Sequence, residues 1–122
     1  MSPKHILIVD DEFTSAEVLA VVLRDDGFRV TVASNGRQAL DRLEEASPDL
    51  IVTDLMMPVM NGVEMARAVR ARPRFARVPI LLISSVAESA LGGQPAAHDG
   101  FLRKPFGLDA LIDAVRALLD RG

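Results

Sequence analysis

The stretch Leu50-Ile51-Val52-Thr53-Asp54, followed by Leu55-Met56-Met57-Pro58-Val59-Met60-Asn61-Gly62, carries the decisive pattern. An apolar run closes on an aspartate, a loop with its own turn residues follows, and a helical period opens with Val63, Ala66 and Val69 on one face. That order is one βα unit, and a strand without polar alternation is a strand covered on both faces. The unit recurs. Ile6-Leu7-Ile8-Val9, Val30-Thr31-Val32, Ile80-Leu81-Leu82-Ile83 and the weaker Phe101-Leu102 supply four further strands. Strands alternating with helices build a parallel sheet. The spacing therefore predicts one doubly wound, five-stranded α/β domain over residues 1–122, with helices on both faces of the sheet.

The helices have legible ends. The first runs from about Thr14 to Asp25, with Leu19, Val22 and Leu23 inward and Gly27 as a left-handed stop. The second covers about Arg37 to Glu45, capped by Ser34 or Asn35. Asn61 caps the third and Pro73 ends it. Leu108, Leu111, Ile112, Val115, Leu118 and Leu119 give the last its apolar face. Between the fourth and fifth strands, Leu91-Gly92-Gly93-Gln94-Pro95 holds three poor helix residues, so the helix expected there is short or irregular.

Composition excludes several chemistries. The 122 residues are 49% hydrophobic and suffice for one core, while the absence of cysteine removes disulfides, thiolate metal sites and cysteine nucleophiles. A net charge of −3 with scattered bases argues against direct nucleic-acid binding. The N-terminal apolar run is only Ile6 to Val9, and no segment approaches the roughly 20 apolar residues of a membrane span. A soluble, cytoplasmic protein is expected.

Ligands of open parallel sheets sit at the carboxyl ends of the strands. Here those ends read Asp10-Asp11-Glu12, Asp54, Ser84-Ser85 and Lys104-Pro105. If the first and third strands are neighbours, Asp10, Asp11 and Asp54 converge. Two carboxylates ~4 Å apart repel by about 4 kcal/mol at an effective dielectric near 20. Mg²⁺ offsets such repulsion with oxygen ligands, whereas zinc is disfavoured because the chain has only two histidines, His5 and His98, and no thiolate. A single strand-end aspartate is ordinarily just a cap. Three acids, a hydroxyl and a lysine on four strand ends are more than capping requires. Asp54 is the best nucleophile toward phosphorus, with Ser84 and Lys104 placed to meet phosphoryl oxygens.

These residues resemble the receiver domain of two-component response regulators along essentially the whole chain. Asp10-Asp11, Asp54 with Met57-Pro58 and Asn61-Gly62, Ser84, and Phe101-Leu102-Arg103-Lys104-Pro105-Phe106 match that family in order and approximate spacing. The resemblance implies a flavodoxin-like receiver fold. It further implies that Asp54 takes a phosphoryl group from a histidine kinase or phosphotransfer protein, with Mg²⁺ held by Asp10, Asp11, Asp54 and the backbone carbonyl of Met56. Lys104 and Ser84 would grip the phosphoryl group, Ser84 and Phe101 would act as the switch, and the Lys104-Pro105 bond would be cis. The output, a downstream protein or effector domain, is not named by any residue. Ser84 stands where Thr is commoner, Phe101 where Tyr is frequent, and the Ser84 to Lys104 stretch is about two residues short for the family.

Rival readings fare worse. A haloacid-dehalogenase-type phosphatase needs an acid two residues after its nucleophile, where this chain has Met56. A flavodoxin-like electron carrier would place FMN phosphate against Asp10-Asp11-Glu12. A receiver-like interaction domain working without phosphorylation is the remaining alternative, motivated by the unusual Val86 to Asp99 stretch.

Met56 and Val86, each two residues beyond a proposed site residue, have no group to orient an attacking water. Slow self-dephosphorylation follows. Replacing Met56 with Asn and Val86 with Glu should shorten the phosphoprotein half-life at constant Mg²⁺, followed by intact mass; an unchanged half-life contradicts this.

Overall fold

The continuous apolar runs become buried parallel strands. In the computed structural model, which describes residues 3–91 and 97–120, every residue of β1 (His5–Val9) and β4 (Ile80–Ser84) is buried, as are the first four of β3 (Leu50–Asp54). β2 (Arg29–Ala33) and β5 (Gly100–Arg103) lie at the edges and are partly exposed, in keeping with the polar Thr31 and the short Phe101-Leu102 run. The strand order is β2-β1-β3-β4-β5, all parallel, with Ile6 opposite Leu50 and Asp54 opposite Ile83. The chain leaves β1 toward one edge and returns to build β3 on its other side. That reversal opens a crevice at the carboxyl ends of β1 and β3.

Helices α1 (Phe13–Asp25) and α4 (Leu108–Asp120) cover one face, and α2 (Gly36–Ala46) and α3 (Gly62–Arg70) the other. Successive strand residues feed opposite cores. Ile6, Ile8, Leu50 and Val52 pack with Leu19, Leu23, Leu111 and Val115, while Leu7, Val9 and Ile51 pack with Leu43, Met65 and Val69. This is the period-2 geometry of a sheet clothed on both sides. Among the described residues, no helix is long and apolar enough to cross a membrane.

The helix ends follow the sequence closely. Gly27 adopts φ +97° after α1, and Asn35, rather than Ser34, caps α2 by accepting the Gln38 N–H at 2.7 Å. Asn61 and Glu64 form a reciprocal capping box on α3. α3 ends at Arg70, and Pro73 opens a 3₁₀ turn, Pro73–Phe75, whose Phe75 is buried.

Two expected core positions shift. The buried stripe of α3 is Gly62, Met65, Ala66 and Val69, with Val63 only half-buried, because Gly62 seats the helix start directly on β3. Leu108 is exposed, since the first turn of α4 borders a groove rather than the sheet. Between β4 and β5 the expected short element is a 3₁₀ turn, Glu88–Leu91, that buries no residue; Gly92, Gly93, Gln94 and Pro95 lie outside the described residues.

Gly62 is where the fold leaves no room for a side chain. Its N–H donates to the Leu55 carbonyl at 2.9 Å, and a Cβ there would overlap the Asp54 carbonyl oxygen and press on Leu82 Cδ1. Gly62→Ala should lower stability by about 1–3 kcal/mol in urea unfolding, the usual cost of overpacking. An unchanged midpoint would show that the loop yields freely.

Candidate functional site

Backbone pairing brings the strand-end residues together. Beyond β1, the Asp10 N–H donates to the Ala33 carbonyl at 3.1 Å, which carries the chain one residue further along β2. The Leu55 N–H reaches across to the Ile83 carbonyl, and the Lys104 N–H to the Ser84 carbonyl, each at 2.8 Å. Asp10, Asp54, Ser84 and Lys104 are thereby fixed by main-chain bonds at one end of the sheet. The Lys104-Pro105 peptide bond is cis.

One carboxylate oxygen from each of Asp10, Asp11 and Asp54 lies within 4.8 Å of the other two. Asp10 is buried at 4% exposure, Asp54 is half-sunk and Asp11 faces solvent. Asp10 Oδ1 accepts the Glu12 N–H at 2.9 Å, and Asp54 Oδ1 accepts the Leu55 N–H at 3.0 Å. Lys104 Nζ stands 3.3 Å from Asp54 Oδ1. Burial pushes the Asp54 carboxyl up from its ordinary value, and the nearby Asp11 adds to this, while Lys104 and the Leu55 N–H pull it back. Asp10 is likewise raised, first by burial and then by Asp54 and Asp11, against the Glu12 N–H and Lys104. One lysine thus leaves the acids undercompensated.

That imbalance fits a hard divalent cation. The donors are carboxylate oxygens, and Mg²⁺ prefers hard oxygen ligands of this kind. The histidines do not join it. His5 is engaged at the opposite end of β1 with Ala46 O and Thr31 Oγ1, and His98 precedes β5 and pairs with Glu88.

Ser84 is fully buried, and its Oγ accepts the Val86 N–H at 2.9 Å. Phe101, half-buried, sits opposite Leu82 on β4. Met56 is 64% exposed beside the acids. Three features were missed in the sequence. Thr53, buried, donates its hydroxyl to the Asp54 carbonyl at 3.0 Å, and the hydroxyl in an otherwise apolar run was the available signal. Val59 takes φ +71° on the loop after β3 and is 92% exposed; a β-branched residue there is strained and no local motif announces it. A groove of about 380 Å³ runs between α1 (Ser15, Val18) and Pro105, Phe106 and Leu108, opening beside Asp10 and Lys104.

Comparison with known proteins finds relatives along nearly the whole chain. The family described as "Response regulator receiver domain" matches residues 6–116. The DNA-binding response regulator MtrA of Mycobacterium tuberculosis is 38% identical over 120 residues, covering 97% of this chain and 51% of MtrA. The chain therefore spans about half the length of that relative. Among solved structures, chemotaxis protein CheY4 of Vibrio cholerae superposes with a TM-score of 0.85 at 30% identity, over 95% of this chain and 98% of CheY4. Response regulator TrrA of Thermotoga maritima, solved in complex with Mg²⁺ and BeF, gives 0.84 at 32% identity, over 94% and 98%.

A carboxyl raised in the fold binds its proton more readily there than in the unfolded chain, so ionising it costs stability. That cost is fully present above the raised value and fades as pH falls through it toward the ordinary value of 3.8. Without Mg²⁺, Asp10→Asn and Asp54→Asn should each melt above wild type at pH 7, with the gap closing on acidification. A lower melting temperature for both at pH 7 contradicts the assignment.

Proposed function

The chain belongs to the response regulator receiver family of two-component signalling, and on that footing we propose that Asp54 is its phosphoacceptor, with a phosphohistidine on a kinase or phosphotransfer protein as donor. The observation that carries this is Lys104 Nζ at 3.3 Å from Asp54 Oδ1, inside a three-carboxylate cluster at the crevice of the sheet.

An Asp54 carboxylate oxygen attacks phosphorus, forming an O–P bond as the P–N bond breaks. The donor imidazole leaves with that electron pair and takes a proton from solvent. Lys104 neutralises charge spreading over the phosphoryl oxygens, and the Ser84 hydroxyl, released from the Val86 N–H, donates to one of them. Asp10, Asp11, Asp54 and the Met56 carbonyl would hold Mg²⁺. When bound, it supplies the positive charge that lets the crowded acids and a phosphoryl group share one site.

The proposed switch is the Ser84 movement with Phe101 turning inward, remodelling the surface that a downstream protein or effector domain reads. The domain acts as a phosphoacceptor rather than a classical enzyme. A cytoplasmic location and direct contact with protein partners, not nucleic acid or membrane, complete the reading. The assembled acids, Ser84 and Lys104 favour phosphorylation over the phosphorylation-independent alternative.

Incubation with Mg²⁺ and phosphoramidate should add one phosphoryl group by intact mass, abolished in Asp54→Ala and slowed roughly a hundredfold in Lys104→Ala. No adduct in wild type, or an adduct that persists in Asp54→Ala, overturns the assignment.

A further inference from the structure

Over its described residues 85–91, the connection leaving β4 is held by little. Its 3₁₀ turn, Glu88–Leu91, buries no side chain, and its internal support is the Ala90 N–H on the Ala87 carbonyl. Among the described residues, one side-chain bond ties that turn to the rest of the fold. Glu88 Oε2 meets His98 Nε2 at 2.7 Å. His98 is anchored, its side chain only 7% exposed and its ring centroid 6.2 Å from that of Phe101 at an interplanar angle of 51°. The next residue, Asp99, accepts the Ile80 N–H and pairs with Arg70, so the His98 end of the bond is rigid. The Glu88 end is more than half exposed and begins four residues after Ser84.

The two ends of this bond therefore report on the two proposed switch residues. Ser84, bound to the Val86 N–H, leads directly into the turn that carries Glu88. Phe101 lies against the imidazole that receives it. A contact made in only one of two conformations biases the equilibrium by its own free energy. From this geometry we infer that Glu88 and His98 are positioning residues, forming a clasp that holds the turn after β4 where the Ser84 hydroxyl faces Val86 rather than the phosphoryl site. Freeing Ser84 shifts the turn at Val86 and draws Glu88 from His98, while Phe101 turning inward removes the ring beside the imidazole. The clasp thus sets the threshold of the switch, and it rests on the reading of Asp54 as phosphoacceptor.

Titrating beryllofluoride with Mg²⁺, followed by NMR, tests this on the whole chain. Glu88 is exposed, so its variants should keep the fold, which unchanged spectra away from the turn will verify. Glu88→Ala should bind beryllofluoride about two- to fivefold more tightly than wild type, the range of a single partly exposed side-chain hydrogen bond. Glu88→Gln, which keeps a neutral hydrogen bond to His98, should fall between them. In wild type the His98 ring signals should move on saturation. Equal or weaker affinity in Glu88→Ala, or His98 signals that stay fixed, overturns the clasp while leaving Asp54 in place. Absence of Mg²⁺-dependent saturation in wild type and variants alike would instead overturn the Asp54 reading, and the clasp with it.

Discussion

Three carboxylates whose oxygens lie within 4.8 Å of one another, two of them sunk into the end of a sheet, are the constraint around which this chain is organised. At that separation the sunken pair Asp10 and Asp54, both ionised, repel by about 3–4 kcal/mol at an effective dielectric near 20, and solvent-facing Asp11 adds less. Burial works in the same direction as the mutual repulsion, and Lys104 meets Asp54 alone at close range. A fold selected only for stability would not hold these groups together. The arrangement becomes favourable when a cation and a phosphoryl group enter, which ties the cost to the proposed role.

The rest of the structure serves that placement. β1 and β3 are adjacent because the chain reverses direction of growth between them, so their carboxyl ends share one crevice. Main-chain bonds from Asp10, Leu55 and Lys104 fix the register, and Gly62 lets α3 begin against the Asp54 carbonyl. Two apolar cores, one per face, make the sheet rigid enough to carry the strained acidic end. After β4 the chain passes from Ser84, whose Oγ accepts the Val86 N–H, into the turn from which Glu88 reaches His98.

Much of this was legible in the sequence because it is written in local signals. Apolar runs without alternation marked the inner strands, Asn61, Gly27 and the pair Ser34-Asn35 marked helix ends, and Asp10, Asp11, Asp54, Ser84 and Lys104 stood at strand termini, where chemistry collects. What escaped depended on contacts between distant residues. Met65 rather than Val63 enters the core because the buried stripe Gly62, Met65, Ala66 and Val69 keeps the helical period but is phased by the seating of Gly62 on β3. The groove beside Lys104 needed the β5–α4 connection to meet α1, and the His98–Glu88 bond needed a fold in which the pre-β5 segment returns beneath the turn after β4. Val59 at φ +71° is a backbone state that no side-chain pattern encodes.

A crystal structure of the chain grown with Mg²⁺ and beryllofluoride tests the central claim most directly. The account predicts beryllium bonded to an Asp54 carboxylate oxygen, Mg²⁺ on Asp10, Asp11, Asp54 and the Met56 carbonyl, and Lys104 Nζ with Ser84 Oγ on the fluorides. Beryllofluoride absent from Asp54, or a cation bound without these acids, would contradict it.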